Sequence, residues 1–196
     1  SREHGGKGSN QAVAIARWGG RSALITAVGA DADGEAAREL WRAEAVDDRA
    51  VVTVPHAATM AGVILVDDAG ENRIAIAPGA LEHLTLGQGG RRAIQEADLL
   101  VISLETPVEV AHAAIAAARE YDVRVLLNPA PATALPSSLW QSVDILVPNQ
   151  SEARTLLDDD SIDDVQAARA LAEIARCVVV LTRGADGALV AEPGRG

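Results

Sequence analysis

The chain has 196 residues, of which 48% are hydrophobic. That is enough for a sizeable core and excludes a disordered polypeptide. A formal net charge of -11 and a pI near 4.7 exclude the basic face of a nucleic-acid-binding protein and disfavour an anionic membrane surface.

Helix and strand signals alternate along the chain. Ser9 is placed to cap a helix running to Trp18, which Gly19-Gly20 end. SALITAV (Ser22–Val28) reads as a buried strand, Gly34–Ala45 as a helix with Ala37, Leu40 and Trp41 on one face, and Ala50–Val54 as the next strand. The rhythm then changes. AGVILV (Ala61–Val66) and RIAIA (Arg73–Ala77), joined by the turn-rich DDAGEN, predict an antiparallel β-hairpin. Beyond Pro78-Gly79 the alternation resumes with helix Leu86–Ala97, strand Asp98–Ser103, helix Pro107–Tyr121 and strand Val123–Asn128. Strand Val143–Asn149 leads into helix Gln150–Leu157, Ser161 with Asp164 makes a near capping box for helix Ile162–Ala175, and strand Cys177–Thr182 follows.

This alternation predicts an α/β fold with a mainly parallel sheet and helices on both faces. In such sheets ligands gather at the carboxyl ends of strands, which singles out Glu105, Asn128, Asn149, Glu152, Thr182 and Gly184. The lone cysteine, Cys177 in CVVVL, allows no internal disulfide, reads as a buried structural thiol and fits a reducing cytoplasm. No apolar run approaches the roughly 20 residues of a membrane span. The only methionine is Met60, so the expectation is a chain incomplete at both ends.

Five stretches carry chemistry, each with a plainer alternative. In HGGKGSNQ, Lys7 is followed by Gly8 and the glycines are spaced GGxG, so neither a phosphate P-loop nor a GxGxxG turn is present. What remains is a loop whose backbone approaches a ligand at a helix N-terminus, with Lys7, Ser9 and Asn10 adding polar groups, or else a tight turn. In VPNQSE, Asn149 and Glu152 share one face of a first helical turn; a carboxylate there holds Mg²⁺ through water, or the pair simply caps the helix. LTRGADG (Leu181–Gly187) is a phosphate cradle or a hairpin into Ala188–Ala191. Glu105 in SLETP accepts hydrogen bonds from hydroxyls or faces a helix start, and NPAPA (Asn128–Ala132) is a stiff turn. The four histidines have no metal-ligand spacing, and no Cys/His cluster exists.

Taken in order, GGKGSNQAVAIARWGG, GADADGE, ETP, LNPAPA, VPNQSEA and LTRGADG resemble the ribokinase branch of the phosphofructokinase-B type carbohydrate kinases, over essentially the whole chain. The resemblance implies a Rossmann-like α/β core, residues 1–58 and 79–196, with residues 59–78 forming a β-sheet lid that covers the sugar and forms a homodimer contact. It implies that Gly6, Lys7, Asn10 and Glu105 bind sugar hydroxyls, that Asn149 and Glu152 organise Mg²⁺ and the ATP phosphates, and that Thr182 and Gly184 line the nucleotide site. The implied reaction moves the ATP γ-phosphoryl group to the 5-hydroxyl of ribose in the cytoplasm, with K⁺ as an expected monovalent cofactor. The family's catalytic base is the Asp of a GAGD motif that this stretch does not contain, and its N-terminal strand with a sugar-binding Asp is missing too. The 196 residues by themselves are therefore expected not to be a competent kinase. Two alternatives stand beside this reading: another sugar or nucleoside kinase of the superfamily, and a non-catalytic sugar-binding or regulatory paralogue.

Overall fold

Two units make up the chain, Ser1–Gly90 and Arg91–Gly196. The computed structural model describes residues 5–66, 72–133 and 137–195. His4 and most of the DDAGEN linker lie outside the described residues.

In the first unit, helix α1 (Lys7–Arg17) is followed by strands β1 (Ser22–Ala23) and β2 (Ala27–Gly29), helix α2 (Ala32–Ala43), and strands β3 (Val46–Asp47) and β4 (Val52–Val54). The strands pair in parallel, β1 with β3 and β2 with β4. Ala12, Leu24, Val28, Trp41, Val46 and Val51 form the core between them. Trp41 is 5% exposed, and its indole N–H donates to Ser9 Oγ at 2.7 Å, so burying the ring leaves no unpaired donor. Strands β5 (Ala61–Val66) and β6 (Asn72–Ala77) form the predicted antiparallel ribbon, in register from Ala61↔Ala77 to Val66↔Asn72. A 3-10 turn, Gly79–His83, and helix α3 (Gln88–Gln95) follow.

The second unit is one five-stranded sheet. Its strands are β7 (Leu99–Ser103), β8 (Arg124–Asn128), β9 (Ile145–Leu146), β10 (Val178–Thr182) and β11 (Ala188–Ala191), in the spatial order β11-β10-β9-β8-β7. All pairs are parallel except β10–β11. Helices α4 (Val108–Glu120), α5 (Ser137–Trp140), α6 (Gln150–Leu157) and α7 (Asp164–Ala175) connect them. Val125, Leu127, Leu146, Val179 and Leu181 are fully buried. The buried faces of the helices are mostly alanine: Ala111, Ala114, Ala117 and Ala118 beside Val110 and Ile115 in α4, and Ala167, Ala168, Ala172 and Ala175 beside Leu171 in α7. Small side chains bring the helix axes close to the sheet, which suits a chain with no phenylalanine. Cys177 is buried, and burial pushes its thiol up to about 11.

Three local expectations are corrected. SALITAV is not one strand: Ser22–Ala23 pairs with Val46–Asp47, whereas Ala27–Gly29 pairs with Val52–Val54, and the chain changes partner through Leu24–Thr26. Helix α1 starts at Lys7, so Ser9 lies inside it, and its hydroxyl serves Trp41 in place of a cap. Helix α7 is capped by Asp163, whose carboxylate accepts from the Val165 and Gln166 amides, while Ser161 is turned back onto Asp159.

Candidate functional site

The glycine loop precedes α1 directly. Gly6 is its N-cap, with a φ of 98° that disfavours any side chain, and no side chain caps the helix. The first helical bond runs from Asn10 N–H to Gly6 O at 2.9 Å. The Gly8 and Ser9 amides therefore enter no intrahelical bond and face out of the helix end, where a polar ligand would meet them. Lys7 and Asn10 are exposed beside them. A Cβ on Gly6 would sit 3.4 Å from Met60 Cε, so the only methionine lies on this loop.

The remaining motif residues lie at the carboxyl edge of the second unit's sheet. Ser103 and Asn128 are register partners at the ends of β7 and β8, and Glu105 stands two residues beyond, before α4. Asn128 Nδ2 donates to Val147 O at 2.8 Å, which binds the NPAPA turn to the strand leading into VPNQSE. Asn149 and Thr182 form a parallel bridge, so the NxxE and TRGADG segments run side by side. Asn149 and Glu152 complete a capping box: Asn149 Oδ1 accepts from Glu152 N, and Glu152 Oε2 accepts from Asn149 N, each at 2.8 Å. The capping alternative is thus realised, and it orients the Glu152 carboxylate while leaving Oε1 outside the box. Arg154 and Gln150 both hold Asp164, so α6 is braced against the start of α7.

Thr182 Oγ1 donates to Pro148 O at 3.3 Å. The hairpin alternative for LTRGADG is realised too: Arg183 N–H donates to Gly187 O, and Thr182 pairs with Ala188. Nothing lies within 4 Å of where a Gly184 Cβ would be, so the space beside this turn is open. A hollow of about 430 Å³ between α7 and β11, lined by Val165, Ala168, Arg169 and Leu189 among others, contains none of the motif residues.

Among the described residues no group of three or more His, Cys, Asp or Glu could hold a metal ion. The single oriented carboxylate of Glu152 is compatible with a hydrated Mg²⁺ but not with a cage of protein ligands. No helix among the described residues is long and apolar enough to cross a membrane.

GADADGE holds a residue for which the sequence predicts no role. Asp31 caps α2 through Gly34 N–H at 2.8 Å and also accepts from Thr59, through the hydroxyl at 2.6 Å and the amide at 2.8 Å. The cap half of this was readable from an Asp three residues before a small helical residue. The Thr59 half spans 28 residues and left no local signal.

A mainly parallel sheet with polar turns at its carboxyl edge and helices between its strands defines an α/β protein of Rossmann-like architecture. The chain belongs to the pfkB family of carbohydrate kinases, whose model matches residues 1–196. It is 35% identical to the ribokinase of Haemophilus influenzae over 197 residues, covering 98% of this chain and 64% of that protein. It is 32% identical to the deoxyribokinase of Salmonella typhi, covering 94% of this chain and 62% of that one. The structure of ribokinase from Giardia lamblia superposes with a TM-score of 0.89 at 26% identity, covering 99% of this chain and 64% of that chain. The chain thus spans a little under two thirds of the length of these relatives.

Proposed function

We propose that this chain supplies the sugar loop and the nucleotide edge of an ATP-dependent kinase that phosphorylates the 5-hydroxyl of ribose. The observation that carries the reading is the Asn149–Thr182 bridge, which sets the NxxE box and the TRGADG turn next to each other at the strand ends where the family resemblance puts the nucleotide. Gly6, Lys7 and Asn10 would bind the sugar hydroxyls, with Glu105 as a further contact. Asn149 would hold the Glu152 carboxylate in one orientation, and Glu152 would hold a water-coordinated Mg²⁺ through Oε1. Thr182 and Gly184 would line the nucleotide. Mg²⁺ bound to the phosphates would neutralise the charge of the transferring group. The residues themselves position the acceptor and the donor, which is the larger share of catalysis in phosphoryl transfer.

A monovalent cation belongs to the same proposal on the family resemblance alone, as does a cytoplasmic location. So does a homodimer through the ribbon, where Val63 and Ile76, on opposite faces by strand alternation, are 58% and 54% exposed. Similarity to a deoxyribokinase keeps 2-deoxyribose as the second acceptor to be tested.

The experiment is calorimetric titration of the complete protein and its Asn10→Ala variant with ribose and with ATP. Loss of one hydrogen-bonding side chain should weaken ribose binding about 5- to 15-fold and leave ATP binding nearly unchanged. Equal losses for both ligands would contradict the role given to the loop.

A further inference from the structure

The two roots of the β5–β6 ribbon are locked to the core at one point. Thr59, two residues before β5, accepts from Gly29 N–H at 2.9 Å and donates its hydroxyl to Asp31 Oδ1, while its amide donates to Asp31 Oδ2. Just after β6, Ala80 N–H donates to Ala58 O at 2.7 Å, joining the outgoing root to the incoming one. The approach is so close that glycine is required on the core side. A Cβ on Gly29 would lie 2.3 Å from Ala57 O, and one on Gly34 would lie 2.3 Å from Gly29 O. The residue next to Thr59 is Met60, whose Cε rests on Gly6 of the sugar loop.

We infer that Asp31 is a positioning residue for the sugar: by gripping Thr59 it seats Met60 against Gly6 and so fixes the wall of the glycine loop. The inference rests on the assignment of that loop to sugar in the proposed function. Asp31 touches no substrate; it acts through Thr59 and Met60. A carboxylate is needed because two donors of Thr59 and one of Gly34 converge on it, and only an acceptor with two oxygens takes all three.

The test separates the grip from the helix cap. In the complete protein, Asp31→Ser keeps a cap oxygen for Gly34 N–H but cannot span both donors of Thr59. Asp31→Ser and Thr59→Val should each raise KM for ribose about 10- to 100-fold, with KM for ATP and kcat changed less than about threefold. Thr59→Ser, which retains the hydroxyl and the amide, should restore KM for ribose. A wild-type KM for ribose in Asp31→Ser would show that Asp31 is a cap alone and would overturn the inference, as would a parallel rise in both KM values.

Hydrogen exchange gives a second readout that needs no activity. The Thr59 amide should exchange about tenfold or more faster in Asp31→Ser than in the unaltered protein. If the unaltered protein phosphorylates no sugar but this acceleration is seen, the proposed function fails while the grip stands. Unchanged exchange overturns the grip itself.

Discussion

Gly79→Ala gives the sharpest test of the way the ribbon is rooted. Gly79 adopts a φ of 53°, and a Cβ built there would meet the Ala58 carbonyl oxygen at 2.2 Å and its carbon at 3.2 Å. Holding an L-residue in the left-handed region costs about 1–2 kcal/mol. Forcing the backbone apart to admit the methyl costs about 1–3 kcal/mol more, because the displaced carbonyl also accepts the Ala80 amide. The sum, about 2–5 kcal/mol, corresponds to a fall in Tm of about 4–20 °C for a protein of this size. Thermal and urea unfolding followed by circular dichroism would measure it. Gly87→Ala is the control, since no atom lies within 4 Å of its Cβ position; it should stay within about 0.5 kcal/mol of the unaltered protein. A Gly79→Ala variant melting within about 1 °C of the parent, or a Gly87→Ala variant that loses as much, would refute the reasoning.

Glu152→Gln should raise the Mg²⁺ concentration required for half-maximal activity several-fold while ribose affinity is retained; an unchanged Mg²⁺ dependence would remove Glu152 from the metal. With its thiol pushed up to about 11, Cys177 should not react with a disulfide reagent at pH 8 until the protein is unfolded, as peptide mapping of the labelled cysteine would show; rapid reaction of Cys177 in the native protein would contradict its burial. The Asp31 carboxyl is held below the usual carboxylate range by the Thr59 hydroxyl, then by the Thr59 and Gly34 amides. A depressed carboxylate contributes stability that is complete above its unfolded titration, near pH 4, and is lost as pH falls through the lower folded value. Replacing Asp31 with Asn should therefore flatten the acid limb of a Tm-against-pH curve below about pH 4, and an unaltered limb would count against the Thr59 contacts.

What could be read from the sequence follows the range of each interaction. The strands that carry the site residues of the second unit were legible because each holds an unbroken apolar stretch, LLVI, VLL and VVVL, of the kind that buried parallel strands show. The Asn149–Glu152 box was legible because both partners lie within one helical turn. SALITAV misled because an apolar run does not record a change of hydrogen-bonding neighbour, and only β3 and β4 decide where β1 gives way to β2. Ser9 and Ser161 misled because a hydroxyl near a helix start has competing partners: Trp41, 32 residues away, claims the first, and Asp159 claims the second. The grip of Asp31 on Thr59 and the seating of Met60 on Gly6 were invisible for the same reason, since they join segments that become neighbours only after the ribbon folds onto the unit.

The most direct measurement is phosphorus NMR of the complete protein with ATP, Mg²⁺ and, in separate samples, ribose, 2-deoxyribose, fructose and a nucleoside. The account predicts that ADP and a sugar phosphate esterified at the 5-hydroxyl appear together, fastest with ribose. Fastest transfer to another acceptor would contradict the ribose assignment and leave the kinase class standing. No phosphorylated product with any of the four, from protein that binds both ribose and ATP, would contradict the central claim.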